Sequence, residues 1–168
     1  YRSEGGSDWY GIGPCDTLDW CICSNCTALI QTRDPKLGFC NRTASKLVWT
    51  FASQVAREIA KTHPGKNIAC YAYADYTEFP EGVDFATNMY VVPAMFTRTW
   101  INDGENLRQY RAWTKQFPGR VMSMWTYPCF PQETATSQGY HCFPCFEAHA
   151  LSRDYKEFAR DGMKGFNV

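Results

Sequence analysis

The sequence predicts an α/β fold in which parallel strands alternate with helices, and we expect this fold to be the C-terminal half of a (β/α)8 TIM-type barrel. Two observations predict it. Short apolar runs alternate with amphipathic stretches along the chain, which is typical of β-α-β units. Several of these runs are apolar at nearly every position, as in strands covered on both faces of a parallel sheet. The 168 residues suit a single domain, 1–168, whereas a complete barrel takes about 250 residues.

Charge and composition exclude some classes of partner. The chain has 17 basic and 17 acidic side chains, so no broad electrostatic field is available to hold nucleic acid. No run approaches the roughly 20 apolar residues of a membrane-spanning helix, and we expect no membrane span. Aromatic residues make up 16% of the chain, and nine cysteines, an odd number, cannot all pair with one another.

The first predicted elements are a short strand, a loop and a long helix. The strand at 9–13 ends before Pro14, and the cysteine-rich loop 14–41 follows it. The helix begins near Thr43 or Ser45, either of which can cap it, and ends at Pro64-Gly65. Apolar side chains recur within it at helical spacing: Leu47, Val48, Phe51, Ala52, Val55, Ile59 and Ala60.

The remaining elements continue the alternation. Buried strands are predicted at 67–74, 88–92 and 120–125, and helices at 104–116 and 147–161. Residues 162–168 form a turn and the start of another strand. The terminal strands would lack neighbours, so we expect the chain to be part of a longer polypeptide or to be supported by neighbouring chains.

Paired carboxylates are expected at one edge of the sheet. Asp16 follows the first strand, and Asp75 and Glu78 follow the next one, at the barrel end that carries active sites. A glycosidase needs two carboxylates, one as acid and one as base or nucleophile. Asp16 with Glu78, or with Asp75, is the candidate catalytic pair. Alternatively, Asp16 caps a turn and Glu78 is a solvated surface residue.

Aromatic side chains near the same strand ends suggest a sugar ligand. Sugar rings present C–H faces that pack on flat aromatic surfaces, while polar groups bind their hydroxyls. Alternatively, some of these rings fill the interface between strands and helices. The candidate substrate-binding residues are Trp20, Tyr73, Tyr76, Trp125 and Tyr127.

A cluster of cysteines within the loop can hold a metal. Cys21, Cys23 and Cys26 lie within six residues, a spacing that lets thiolates converge on one zinc ion with a structural role. The pair Cys142 and Cys145 can supply further ligands. Disulfides in an exported protein, to Cys40 or to the region of Cys142, are the alternative, and redox catalysis is a weaker one.

Several short motifs follow one another in a set order: Asp16, the C-x-C-x-x-C run 21–26, Tyr73, the run 76–80, Asn88, 125–127, 143–144 and 162–165. This order resembles a domain of unknown function found in large exported bacterial proteins, which is similar to the barrels of α-glucuronidases and related glycoside hydrolases. The resemblance implies export, a carbohydrate ligand and glycoside hydrolysis. Thr126 stands where aspartate is usual, Cys15 and Cys145 where asparagine is common, and Pro93 where a basic residue is common.

These features together predict a carbohydrate-active domain, similar to glycoside hydrolases, that binds a glycan at the carboxyl ends of the strands. Whether it also hydrolyses the glycan is left open. The alternative is a non-catalytic module that binds glycan or supports a larger exported protein, and Thr126 in place of aspartate favours it.

Overall fold

The computed structural model describes residues 8–32, 39–95, 104–121, 123–126 and 148–167. Its strands are β1 (Trp9–Ile12), β2 (Asn67–Ala72), β3 (Met89–Met95), β4 (Ser123–Thr126) and β5 (Gly165–Asn167). Its α-helices are α1 (Ser24–Thr27), α2 (Ser45–Thr62), α3 (Gly104–Gln116) and α4 (Ala148–Arg160), and a 3₁₀ turn spans Ala74–Tyr76. None of the described helices is long and apolar enough to cross a membrane.

The strands form one parallel sheet, which confirms the predicted α/β fold. Their order in the sheet is β1-β2-β3-β4-β5, and every neighbouring pair is parallel. Helices α2, α3 and α4 connect successive strands, while the 3₁₀ turn lies between β2 and β3. A strand order that follows the chain order is the arrangement of a barrel wall, because doubly wound sheets reverse direction at a switch point. Closure into a barrel remains a prediction.

Helices pack on one face of this sheet and build the hydrophobic core. Alternate residues of β2, namely Ile68, Cys70 and Ala72, join Trp49 of α2 and Trp113 of α3 in one buried cluster. The two indole rings lie 4.5 Å apart between centroids. The indole N–H groups donate to the carbonyls of the last residue of the 3₁₀ turn and of the residue after it, so the core also fixes the chain that leaves β2.

Helix α2 confirms the predicted helix but differs in its start and in its buried face. Ala44 occupies the N-cap position without a side-chain cap, so neither Thr43 nor Ser45 caps the helix. Phe51 is 58% exposed, whereas Trp49 is fully buried. The buried stripe is displaced because small residues let the helix approach the sheet while Trp49 fills the space beside them: Ser45, Val48, Trp49, Ala52, Ser53 and Ala56.

The other face of the sheet, which we call the open face, carries aromatic side chains that the described helices do not cover. Trp9 and Tyr71 are each 37% exposed. Trp9 contacts Tyr90 at 4.4 Å between centroids, and Tyr71 contacts Trp125 at 5.6 Å. The strand register places all four side chains on the same face. Paired residues on neighbouring strands share a face, and so do residues two positions apart in one strand. Ala69 pairs with both Gly11 and Tyr90, and Ala94 pairs with Trp125.

Candidate functional site

The carboxyl ends of the strands surround a cavity of about 210 Å³, which we call the aromatic cavity. Parallel strands bring their carboxyl ends to one edge of the sheet, so side chains from four strand ends meet there. Three of the predicted binding residues and one predicted catalytic residue line it. The lining residues are Pro14, Asp16, Tyr71, Tyr73, Tyr76, Ala94 and Trp125.

A tight turn after β2 shapes this cavity. Ala74 has a φ of +50°, which is uncommon for a residue other than glycine. Its carbonyl accepts hydrogen bonds from the Asn41 N–H at 2.9 Å and from Thr77 Oγ1 at 2.8 Å. These bonds hold the chain reversal that brings the rings of Tyr73 and Tyr76 to 6.3 Å from each other. Unfavourable backbone geometry of this kind concentrates at functional sites.

Tyr76 supplies a neutral hydroxyl to the cavity. It is 6% exposed, and burial is the main cause that raises the pKa of its phenol. Charge on neighbouring groups, including Asp75 and Asp16, raises this pKa further. The phenol therefore keeps its proton throughout the physiological range and can donate a hydrogen bond to a carboxylate or a ligand oxygen.

The predicted catalytic carboxylates do not line the same cavity. Asp16 is exposed and lines the aromatic cavity. Glu78, whose side chain is 13% exposed, lies 3.8 Å from Arg108 and lines a second cavity beside α2 and α3. The reversal at Ala74 explains this separation, because it directs Tyr76 and Glu78 to different cavities. Their catalytic roles remain predictions.

Trp20 and Asp75 support the site from the helix side. The Trp20 indole N–H donates to Asp75 Oδ2 at 2.7 Å, and the Trp20 ring contacts Tyr76 at 6.1 Å between centroids. Trp20 lines a smaller apolar cavity of about 120 Å³ that also includes Leu47 and Val48. It therefore anchors the cysteine-rich loop to the end of β2 and does not line the aromatic cavity. Tyr127 lies outside the described residues.

Tyr71 is a cavity residue that the sequence analysis missed. We had expected 67–74 to be covered on both faces, yet Tyr71 is 37% exposed and lines the cavity beside Trp125. The signal was its spacing, since Tyr71 and Tyr73 are two positions apart and a strand places such residues on one face.

The three loop thiols converge as the sequence predicted. The Sγ atoms of Cys21, Cys23 and Cys26 all lie within 4.8 Å of one another at the start of α1, so the three cysteines can hold a metal ion. Thiolates at such distances can occupy three corners of a tetrahedron around one ion. Cys142 and Cys145, the predicted source of further ligands, lie outside the described residues.

These thiols have different affinities for protons. The backbone of Cys26, followed by the thiols of Cys21 and Cys26, stabilises the Cys23 thiolate and lowers its pKa to about 7. Hydrogen bonding to Cys23, and then to Cys21, raises the pKa of Cys26 to about 11. Burial raises the pKa of Cys70 to about 12, as expected for a core thiol. Cys23 is thus about half ionised near neutral pH, where Cys26 stays protonated.

A family model described as Domain of unknown function (DUF4838) matches residues 2–168, so the chain belongs to this family. No curated protein and no solved structure matches the chain. Membership confirms the resemblance to a domain of unknown function, while the relation to α-glucuronidase barrels remains a prediction.

Proposed function

We propose that this DUF4838 domain binds a carbohydrate in the aromatic cavity. The observation that carries the proposal is the pairing of Tyr71 with Trp125 at the carboxyl ends of β2 and β4, next to the Asp16 carboxylate. A sugar ring has apolar C–H faces and polar edges, so it needs aromatic surface and hydrogen-bonding groups together. Asp16 can accept hydrogen bonds from sugar hydroxyls, and Tyr76 can donate one.

The size of the cavity supports a small ligand unit. Its volume of about 210 Å³ is below the roughly 300–1,000 Å³ of sites for drug-sized ligands. A single sugar ring, such as the end of a chain, suits this space better than an extended oligosaccharide. The open face continues from the cavity along the sheet, and its rings of Trp9 and Tyr90 offer further apolar surface.

Binding has more support than hydrolysis. Hydrolysis of a glycosidic bond takes two carboxylates flanking that bond. Among the described residues that line the cavity, Asp16 is the one with a carboxylate. Thr126, where the resemblance implies an aspartate, is buried and its hydroxyl lies 3.2 Å from the Tyr155 hydroxyl. We therefore place binding first, and hydrolysis requires a carboxylate from beyond the described residues.

Calorimetric titration with neutral and acidic mono- and oligosaccharides tests the binding proposal. Tyr71→Ala and Trp125→Ala should each weaken binding at least about tenfold, because each removes aromatic surface worth about 1.5–3 kcal/mol. Tyr10→Ala is the matched control, since Tyr10 is 46% exposed on β1 and does not line the cavity. Failure of every sugar to bind, or equal losses in the control, contradicts the proposal.

Product analysis with the same sugars tests hydrolysis separately. Release of a reducing sugar that disappears in Asp16→Asn, with binding retained, supports a catalytic role for Asp16. Binding without release supports the non-catalytic module.

We further propose that Cys21, Cys23 and Cys26 hold a structural zinc ion. Tetrahedral Zn–S bonds of about 2.3 Å place sulfurs about 3.8 Å apart, within the 4.8 Å limit that these three atoms satisfy. The loop that carries them is mostly exposed, so burial contributes little to its order. A metal ion bound here would hold in place the residues next to Trp20, whose indole N–H donates a hydrogen bond to Asp75.

Metal analysis of the reduced protein tests the zinc proposal. One zinc per chain should be present, and Cys23→Ser should lose it, whereas Cys15→Ser should retain it because Cys15 is outside the cluster. Chelation should also increase amide exchange in α1. Metal-free protein in which these three thiols are oxidised to disulfides supports the alternative, and metal-free protein with three reactive thiols contradicts both.

A further inference from the structure

We propose that a second cavity, which we call the polar cavity, binds a small oxyanion that also carries hydroxyl groups, such as a sugar acid or a sugar phosphate. The cavity has a volume of about 530 Å³ and lies between the start of α2 and one side of α3. No residue lines both this cavity and the aromatic cavity among those described. It is therefore a separate site, and it does not depend on the carbohydrate proposal above.

Three positive side chains line the polar cavity, two of them at the start of α2 and one on α3. Arg42 precedes the helix, Lys46 lies in its first turn, and Arg108 extends from α3; all three line the cavity. The first turn of α2 contains no acidic residue, and its N-cap, Ala44, has no side-chain oxygen. The positive end of the helix dipole, the first N–H groups of the helix and the three cations all attract negative charge, so an anion is the matching ligand.

A buried hydroxyl without a partner gives independent support. Ser45 lines the cavity and is 2% exposed. Its Oγ has no hydrogen-bond partner among the residues that the structure describes. Buried polar atoms are nearly always satisfied, so an unsatisfied one at a cavity wall indicates a missing partner atom. An oxygen of a ligand seated at the start of α2 would supply that partner.

Two carboxylates in the same cavity indicate that the ligand donates hydrogen bonds in addition to carrying negative charge. Glu78 and Glu81 line it together with the Gln31 and Gln116 amides. Glu78 lies 3.8 Å from Arg108, and Glu81 is exposed. Carboxylates only accept hydrogen bonds, so they select a ligand that donates them, and sugar hydroxyls do so. Inorganic phosphate would satisfy the cations but not these acceptors.

Titration of the 168-residue chain with four probes tests the ligand class. The probes are glucuronate, glucose 6-phosphate, glucose and inorganic phosphate, and each is measured in the natural chain and in Tyr71→Ala, which alters the aromatic cavity alone. In Tyr71→Ala, at least one charged sugar should bind at least tenfold more tightly than glucose and phosphate. The tighter of the two charged sugars identifies the source of the oxyanion. Failure of both to bind, or equal binding of glucose, overturns the proposal.

Substitutions at the cavity wall test its position. Arg42→Gln and Lys46→Gln should each weaken binding of the charged sugar about tenfold. Lys61→Gln, at the far end of the same helix, should leave it unchanged, since Lys61 is paired with Glu58 away from the cavity. Equal affinities for all of these proteins overturn the proposed location.

Ser45→Ala separates a ligand role from a structural one. It should weaken binding several-fold while leaving the unfolding temperature without ligand unchanged or higher, because the hydroxyl has no protein partner. Ser53→Ala is the contrasting variant, since Ser53 Oγ accepts a 2.8 Å bond from the Ala86 N–H and its loss should lower that temperature. Unchanged affinity in Ser45→Ala contradicts the role assigned to its hydroxyl.

Discussion

Ala74 holds a backbone conformation that alanine rarely adopts, at the point where β2 ends and the aromatic cavity begins. A left-handed residue costs an L-amino acid with a Cβ roughly 1–2 kcal/mol. The surrounding bonds impose it, because the carbonyl of Ala74 is bound by the N–H of Asn41 and the hydroxyl of Thr77. The sequence contained no sign of this turn, since alanine is not a typical turn residue.

We predict that Ala74→Gly leaves the free energy of unfolding unchanged or raises it by up to about 1 kcal/mol. Relief of the positive φ offsets or outweighs the greater freedom of glycine in the unfolded chain. Ala52→Gly, in the buried face of α2, is the control and should destabilise by about 1 kcal/mol. Urea denaturation of both variants measures the difference. Equal destabilisation of the two would show that the conformation of Ala74 carries no strain.

Cys23 should be more reactive than Cys26 when no metal is bound to the loop cluster. Its pKa of about 7 means that the thiolate fraction rises from pH 6 to pH 8, whereas Cys26, with a pKa of about 11, stays protonated over this range. The rate of iodoacetamide alkylation at Cys23 should therefore rise about tenfold between pH 6 and pH 8 and then level off. Peptide mapping by mass spectrometry measures it, and equal rates at Cys23 and Cys26 at pH 7 would contradict the prediction.

At the scale of elements, periodicity predicted which segments are helices and strands, but not which side chains meet. The pattern in α2 was strong enough to give the helix, yet Trp49 forms its buried centre and Phe51 is exposed. Hydrogen bonds between residues far apart in the sequence help determine which side chains are buried. The Trp49 indole N–H, for example, donates to the carbonyl of Tyr76, 27 residues away. The same limit applies to Glu78, whose separation from Asp16 depends on a turn that local sequence does not reveal.

A network of ion pairs, which we call the Arg111 network, joins helices α3 and α4. Arg111 of α3 pairs with Glu157 of α4 and with Asp161 just beyond it, the latter at 2.5 Å. The Tyr110 hydroxyl also donates to Asp161, at 2.8 Å. The charged side chains are 25–42% exposed, so solvent weakens the individual pairs, but one guanidinium serves both carboxylates.

We predict that Arg111→Ala lowers the free energy of unfolding by about 1 kcal/mol, and that 1 M salt reduces this loss because it screens exposed charges. Lys61→Ala removes a single exposed pair within α2 and should lower the free energy of unfolding by about 0.5 kcal/mol or less. Denaturation at low and high salt compares the two variants. If Arg111→Ala lowers the free energy of unfolding no more than Lys61→Ala does, the Arg111 network stabilises the protein no more than a single surface ion pair.

For the whole molecule, the helices cover one face of the sheet while the open face presents aromatic rings. Trp9 of β1 and Tyr71 of β2, which share this face, are each 37% exposed in the described structure. Interaction surfaces are often clustered apolar patches, whereas single exposed apolar residues are ordinary. In a closed barrel this face would be the interior, and in the isolated chain a second copy can cover it.

We therefore predict that the 168-residue chain self-associates in solution through the open face. Sedimentation velocity over a hundredfold range of concentration should show a shift from monomer to larger species. Trp9→Lys should weaken the association about tenfold, because it removes an apolar ring worth about 1.5–3 kcal/mol and adds a charge that must be desolvated. Phe51→Lys is the matched control: Phe51 is 58% exposed on α2, away from this face, so its change should leave association unaltered. Strictly monomeric behaviour with no binding of a hydrophobic dye would mean that the open face is already covered within the chain, and equal effects of the two lysine variants would place the association elsewhere.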